Sequence, residues 1–171
     1  MWQLANCPHC PVFPKICRPE PSYMMKWFFL DTNVLIYLLE NRQSEKYRRA
    51  DEWVRALAAQ DALTISPQVV LEFAYVVRRK FRDLRQIQLE DYVESLRPWC
   101  TAPASFDTYF KGLALHFETG YQVPDCTMLA SALEAGCEVF LSEDLQGGQI
   151  VEGMLIVNPF TTDCAAFLAN N

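Results

Sequence analysis

An α/β fold, with a central parallel sheet covered by helices on both faces, is what the sequence predicts, and three observations carry that prediction. Short apolar runs of strand length alternate with longer segments whose apolar residues recur at helical spacing, the pattern of strands joined by crossover helices. The first such run, Trp27–Leu30, is apolar throughout, as a strand buried on both faces requires. At 171 residues, 51% of them hydrophobic, the chain can bury one sizeable domain, and a second full domain is not expected.

In chain order, Trp27–Leu30 is the first strand, followed by an apolar helix over Val34–Leu39. Ser44–Gln60 is a helix with Tyr47, Ala50, Val54, Leu57 and Ala58 on one face, and Ala62–Ser66 is the second strand. Ser66-Pro67 starts a helix, Ser as cap and Pro at the first helical position, with Val69, Val70, Phe73, Val76 and Val77 at helical spacing. Gln86–Arg97 and Ser105–Thr119 are two more helices, separated by a short extended piece near Cys100–Ala104. Pro124 opens a helix through Met128, Leu129, Ala132 and Leu133 that Gly136 stops. Glu138–Ser142 and Met154–Val157 complete the strands, with Gly147-Gly148 in a loop between them.

Residues 1–23 stand apart, rich in Pro and Cys and without apolar periodicity. They are expected to be a tail outside the core, disordered or an extension ahead of a start at Met24-Met25-Lys26, with the domain over 24–171. Cys7-Pro8-His9-Cys10 with Cys17 offers too few well-spaced ligands for a closed zinc site. No apolar run approaches the roughly 20 residues that span a bilayer, and Pro8, Pro11 and Pro14 interrupt any export signal. Seven cysteines, four of them scattered singly through apolar or helical patterns, fit a reduced cytoplasmic chain better than a disulfide framework. A net charge of −6 disfavours a generic polyanion binder. The positive charges nevertheless cluster in the first half, at Arg42/Lys46/Arg48/Arg49 and at Arg78/Arg79/Lys80/Arg82/Arg85. Each cluster is most simply a solvated helix face; phosphate-backbone contact is the other reading, with Arg78, Arg79 and Arg82 as its candidates.

Four acids fall at one edge of such a sheet. Asp31 ends the first strand; Glu72 lies in the second turn of the helix that leaves the second strand; Asp125 lies in the first turn of a helix that begins at the same rim; Asp144 follows the strand ending at Ser142. Singly, each has an ordinary structural role as cap, surface acid, dipole partner or turn residue. Jointly they do not: two carboxylates about 4 Å apart repel by roughly 4 kcal/mol at an effective dielectric near 20, so a cluster needs protons or a cation. Hard oxygen donors suit Mg²⁺ or Mn²⁺ and not zinc.

The segments "FFLDTNVLIYLL", "ISPQVVLEF", "VPDCTMLASALEAGC" and "VFLSEDLQGGQIVEGMLIVNPF" occur in that order, and from Lys26 to Phe160 the chain resembles a PIN domain, most of all the VapC-type ribonuclease toxins of prokaryotic toxin–antitoxin pairs. The resemblance implies a three-layer α/β/α domain with a central parallel sheet of about five strands. It also implies an Mg²⁺ or Mn²⁺ site made by Asp31, Glu72, Asp125 and Asp144, and hydrolysis of RNA phosphodiesters as a metal-dependent endoribonuclease. Asp31 would ligand the ion, with Thr32 and Asn33 satisfying backbone groups at the turn and supporting that carboxylate, and Ser142 belongs to the same support. A cognate small antitoxin and a homodimer are the implied partners, with large side chains around Trp53 and Tyr75 as the expected surface. Two other readings compete. A phosphoaspartyl phosphatase with Asp31 as nucleophile wants a second Asp where Asn33 stands, and a non-catalytic RNA- or protein-binding scaffold has no reason to keep a self-repelling cluster.

Overall fold

The computed structural model describes residues 26–170, so the tail before residue 24 and the reading of its cysteines lie outside the described residues. Five strands form one sheet in the order β2-β1-β3-β5-β4, with β1 at Phe28–Leu30, β2 at Leu63–Thr64, β3 at Val139–Leu141, β4 at Ile150–Val151 and β5 at Met154–Val157. β2, β1, β3 and β5 run parallel; β4 returns antiparallel along β5. The helices are α1 (Thr32–Tyr37), α2 (Glu45–Ala58), α3 (Pro67–Lys80), α4 (Gln86–Ser95), α5 (Phe106–Thr119), α6 (Val123–Glu134) and α7 (Cys164–Asn170). The PIN-like α/β expectation is met.

The sheet's centre is apolar on both faces, as the strand composition requires. Phe28 turns towards α2 and α7, with Trp53 and Phe167 rings both 6.4 Å from its own. Phe29, its neighbour, points the other way and stacks on Phe140 of β3 at 5.1 Å. Trp53, expected to face a partner, is fully buried here and donates its indole N–H to the Pro159 carbonyl at 3.1 Å. A Trp can be buried completely when that one polar atom finds an acceptor.

Local chemistry sets most element ends. Ser44 and Ser105 cap α2 and α5 by accepting the Tyr47 and Thr108 amides at 3.0 and 3.1 Å. Gly136, at φ 75°, ends the α6 segment in the left-handed turn that only glycine enters freely. Pro67 opens α3 as expected, but the Ser66 hydroxyl makes no capping bond and is buried without a partner. The extended piece near Cys100 pairs as a single parallel bridge with Ile65. Two elements differ from expectation. β4 arises because Glu152 and Gly153, at φ 46° and 89°, form a two-residue turn whose twist suits a hairpin. Helix α7 is only seven residues long, too short for periodicity to reveal, and the Asp163 carboxylate caps it through the Ala166 amide at 2.8 Å.

Candidate metal centre

The sheet topology brings the four predicted acids to the rim where the parallel strands end. Asp31 stands directly after β1, its amide donating to the Leu141 carbonyl of β3 at 3.0 Å. Its side chain is 6% exposed. The Ser142 hydroxyl, at the end of β3, donates to Asp31 Oδ2 at 2.5 Å, and Asn33 Nδ2 donates to the same oxygen at 3.0 Å. Asn33 Nδ2 also reaches Asp144 Oδ2 at 3.0 Å, so one amide bridges two carboxylates. Ser142 links the same pair a second way, because its hydroxyl accepts the Asp144 amide at 3.1 Å.

Glu72 and Asp125 close the other side. The Thr32 hydroxyl donates to Glu72 Oε2 at 2.9 Å, and Gln68 Nε2 on α3 donates to the Pro124 carbonyl at 2.9 Å, tying the start of α3 to the start of α6. Asn33 thus bonds the Asp31 carboxylate as expected, while Thr32 turns to Glu72, and neither side chain serves the backbone groups of the turn, contrary to expectation. The reason is position: Asp31 takes the N-cap place of α1 and makes no side-chain capping bond, leaving Thr32 and Asn33 in the first turn with side chains aimed across the rim.

Electrostatics record the crowding. Burial first, and then the charges of Glu72, Asp125 and Asp144, raise the Asp31 carboxyl from 3.8 to about 7, against the opposing pull of the Ser142 hydrogen bond. Burial, with Glu72 and Asp144 next, also holds Asp125 above its ordinary range. Among the described residues, no ion pair reaches any of the four acids; Lys46, Arg49, Arg55, Lys80, Arg97 and Lys111 pair elsewhere. Asn33 Oδ1 is buried with no donor.

These features fit a hard divalent cation: an all-oxygen donor set, uncompensated negative charge, and an orphaned amide oxygen beside it. Among the described residues no three acidic, His or Cys side chains stand in ready-made ligating geometry. Several of the site oxygens instead accept the Asn33, Thr32 and Ser142 donors. The electrostatic coupling is the better guide to the site, because carboxylate side chains rearrange by rotation about a few bonds when an ion binds. Arg78, Arg79 and Arg82 are exposed and stay clear of the rim. Arg79 lies seven residues beyond Glu72 on α3, about 10 Å along the axis, with its guanidinium 5.9 Å from the Tyr75 ring centre. Among the described residues, Arg78 reaches the Arg82 carbonyl, at 3.4 Å. His116 is a structural residue, its Nδ1 2.6 Å from the Tyr121 carbonyl.

A doubly covered, mainly parallel sheet with four acids converging at its carboxyl rim is the arrangement of α/β domains that place their ligand sites at the strand ends. The PIN domain model matches residues 28–146, and the chain belongs to that family. PIN domains are in general nucleases that depend on divalent metal. Among solved structures, the chain is similar to a protein described as "Toxin-antitoxin complex from Klebsiella pneumoniae", at 24% identity and a TM-score of 0.55 over 77% of this chain and 96% of that one. That likeness supports the fold. No curated protein matches.

Proposed function

We propose that the protein is an endoribonuclease dependent on Mg²⁺ or Mn²⁺ and the toxin of a toxin–antitoxin pair. The observation that carries the reading is the carboxyl rim: Asp31, Glu72, Asp125 and Asp144 face one another there, joined through Thr32, Asn33 and Ser142, and among the described residues no cationic side chain pairs with them. Those four would hold the ion, which when bound polarises a phosphoryl oxygen and acidifies its water. The chain's own groups do the positioning. Ser142 and Asn33 fix Asp31 Oδ2, Asn33 fixes Asp144, and Thr32 fixes Glu72. Asn33 Oδ1 is free to accept from a water in the site. Arg78, Arg79 and Arg82 act in affinity, meeting phosphates remote from the reacting one.

The antitoxin reading draws on the structural neighbour, which is itself a toxin–antitoxin complex. Self-association draws on α5. Its inner face, Thr108, Gly112 and Leu115, is buried against α6 so closely that a Cβ on Gly112 would come within 2.9 Å of Thr127. Its outer face carries Phe106, Phe110, Leu113 and Phe117 in a seam spaced four, three and four residues apart. The three phenylalanines are 77%, 65% and 84% exposed. That spacing is self-complementary across a two-fold axis, Phe110 meeting Leu113 and Phe106 meeting Phe117 of a second copy. Among the described residues no helix is long and apolar enough to cross a membrane, and the four described cysteines are free thiols, which suits the cytoplasm.

The test is cleavage of a panel of single-stranded and structured RNAs by purified protein free of antitoxin, with EDTA and Asp144→Asn controls. Cutting that needs Mg²⁺ or Mn²⁺ and collapses in the variant supports the reading. Cutting that persists in EDTA overturns the metal mechanism, and a folded, Mn²⁺-binding protein that cuts no RNA is a scaffold.

A further inference from the structure

A second polar network sits one helical turn from the site. Glu143, between Ser142 and Asp144, accepts the Tyr37 hydroxyl on Oε1 and the Lys46 ammonium on Oε2, the latter at 2.6 Å. Lys46 Nζ also donates to the Tyr37 hydroxyl at 2.6 Å, which closes the ring of three. The ammonium lies 4.4 Å from the Tyr37 ring centre and 5.5 Å from that of Phe160, and those two rings pack edge to face at 5.0 Å. An isolated surface ion pair contributes little. Here Lys46 is half exposed, but the Glu143 side chain is only 18% exposed and both acceptors of the ammonium are themselves bonded to each other, so the pair is held as part of a network.

Its place gives it a consequence. Tyr37 follows Asn33 by four residues on α1, so the two side chains leave the same face of the helix. Asn33 reaches Asp144 and Tyr37 reaches Glu143: α1 grips the loop after β3 at two successive residues. That loop has no regular structure, and the exposed Asp144 side chain has Asn33 as its partner among the described residues. Lys46, from the first turn of α2, holds the outer grip shut and balances a charge that would otherwise add to the acidic rim.

We propose that Lys46 is a positioning residue of the candidate metal centre, clamping Tyr37 to Glu143 so that the loop bearing Ser142 and Asp144 stays docked on α1. It touches neither cation nor substrate. The inference rests on the metal-site reading given above, and its test separates the two. Hydrogen exchange in the metal-free full chain reads the loop directly, at the Asp144 and Gln146 amides, which donate to Ser142 Oγ and Tyr121 Oη at 3.1 and 3.0 Å. Calorimetry with Mn²⁺ and steady-state cleavage of RNA accompany it. Lys46→Ala should speed exchange at those amides and weaken Mn²⁺ by about tenfold, while exchange in the α5–α6 core stays as in wild type. Lys46→Arg should restore both. Equal acceleration at every amide would mean general destabilisation and overturn the proposal, as would unchanged loop exchange. A fall in kcat with loop exchange and Mn²⁺ affinity intact would also overturn it, placing Lys46 on the substrate. If the loop and Mn²⁺ affinity respond but the wild type cuts no RNA, the clamp stands and the nuclease reading falls.

Discussion

Replacing Asp31 by Asn should stabilise the metal-free protein, and the size of the gain should depend on pH. The carboxyl titrates at 3.8 in an unperturbed chain and at about 7 in the fold, burial being the main cause. Below about pH 4 both states are protonated and the fold bears no cost. As pH rises towards about 7 the unfolded chain releases this proton while the folded one retains it, so stability falls across that window. Above it the loss is complete. With each tenfold in proton affinity worth ~1.4 kcal/mol, the full cost is about 4 kcal/mol. Asparagine resembles the protonated acid in shape and lacks the charge, so the variant should escape this loss. Urea melts in EDTA should therefore show the two proteins of similar stability at pH 4 and the variant ahead by a few kcal/mol at pH 8. The same gain raises the melting temperature by about 2–4 °C per kcal/mol for a domain of this size. A variant equally stable or less stable than wild type at pH 8, or an advantage that does not grow between pH 4 and pH 8, would refute a buried, uncompensated carboxylate at this position.

Divalent ions should oppose the same cost. In about 10 mM Mg²⁺, a site with a dissociation constant near 1 mM stabilises the native state by roughly 1.4 kcal/mol; melts of wild type should rise accordingly and those of Asp31→Asn should not, an equal rise placing the ion elsewhere. Charge removal at Arg78, Arg79 and Arg82 together should raise KM and flatten its salt dependence with little change in kcat, measured across a salt series; a lost kcat would put these residues at the reacting phosphate. Phe110→Glu should convert a dimer to monomer in light scattering at tens of micromolar without lowering the melting temperature, because that side chain is exposed; a wild type that is already monomeric removes the α5 reading. A chain beginning at Met25 should melt within a few degrees of the full one and cleave equally, and loss of folding would show that residues 1–23 serve the domain.

Much of the fold was legible because its signals are local. A serine before an apolar-periodic run, a proline at a first turn and a glycine after a last one act through neighbouring backbone, so Ser44, Pro67, Ser105 and Gly136 mark ends that the structure keeps. Ser66 shows the limit: the position is right, but its hydroxyl faces a buried environment and caps nothing. Trp53 shows another. Its helical stripe does not say whether an indole nitrogen will find an acceptor, and Pro159, 106 residues away, supplies it. β4 and α7 are too short for any periodicity, and a hairpin turn at Glu152-Gly153 is visible only through its positive φ angles.

The site divides in the same way. Each acid could be placed at the rim because it adjoins a strand end or a helix start, but the bonds that tie one element's acid to the next element span 40 to 111 residues and leave no trace in local pattern. Asn33 is the informative case. An aspartate there would add a fifth charge and remove the donor that joins Asp31 to Asp144; the amide avoids both, yet leaves Oδ1 buried and unbonded. An unsatisfied buried acceptor costs about 1–3 kcal/mol, and it stands beside a carboxyl whose ionisation costs still more. Stability alone would select against two such deficits two residues apart in one helical turn. A single hydrated cation held by these residues would relieve both, through charge for Asp31 and through a donated water proton for Asn33, which is why the pair speaks for a metal centre more strongly than the count of acids does.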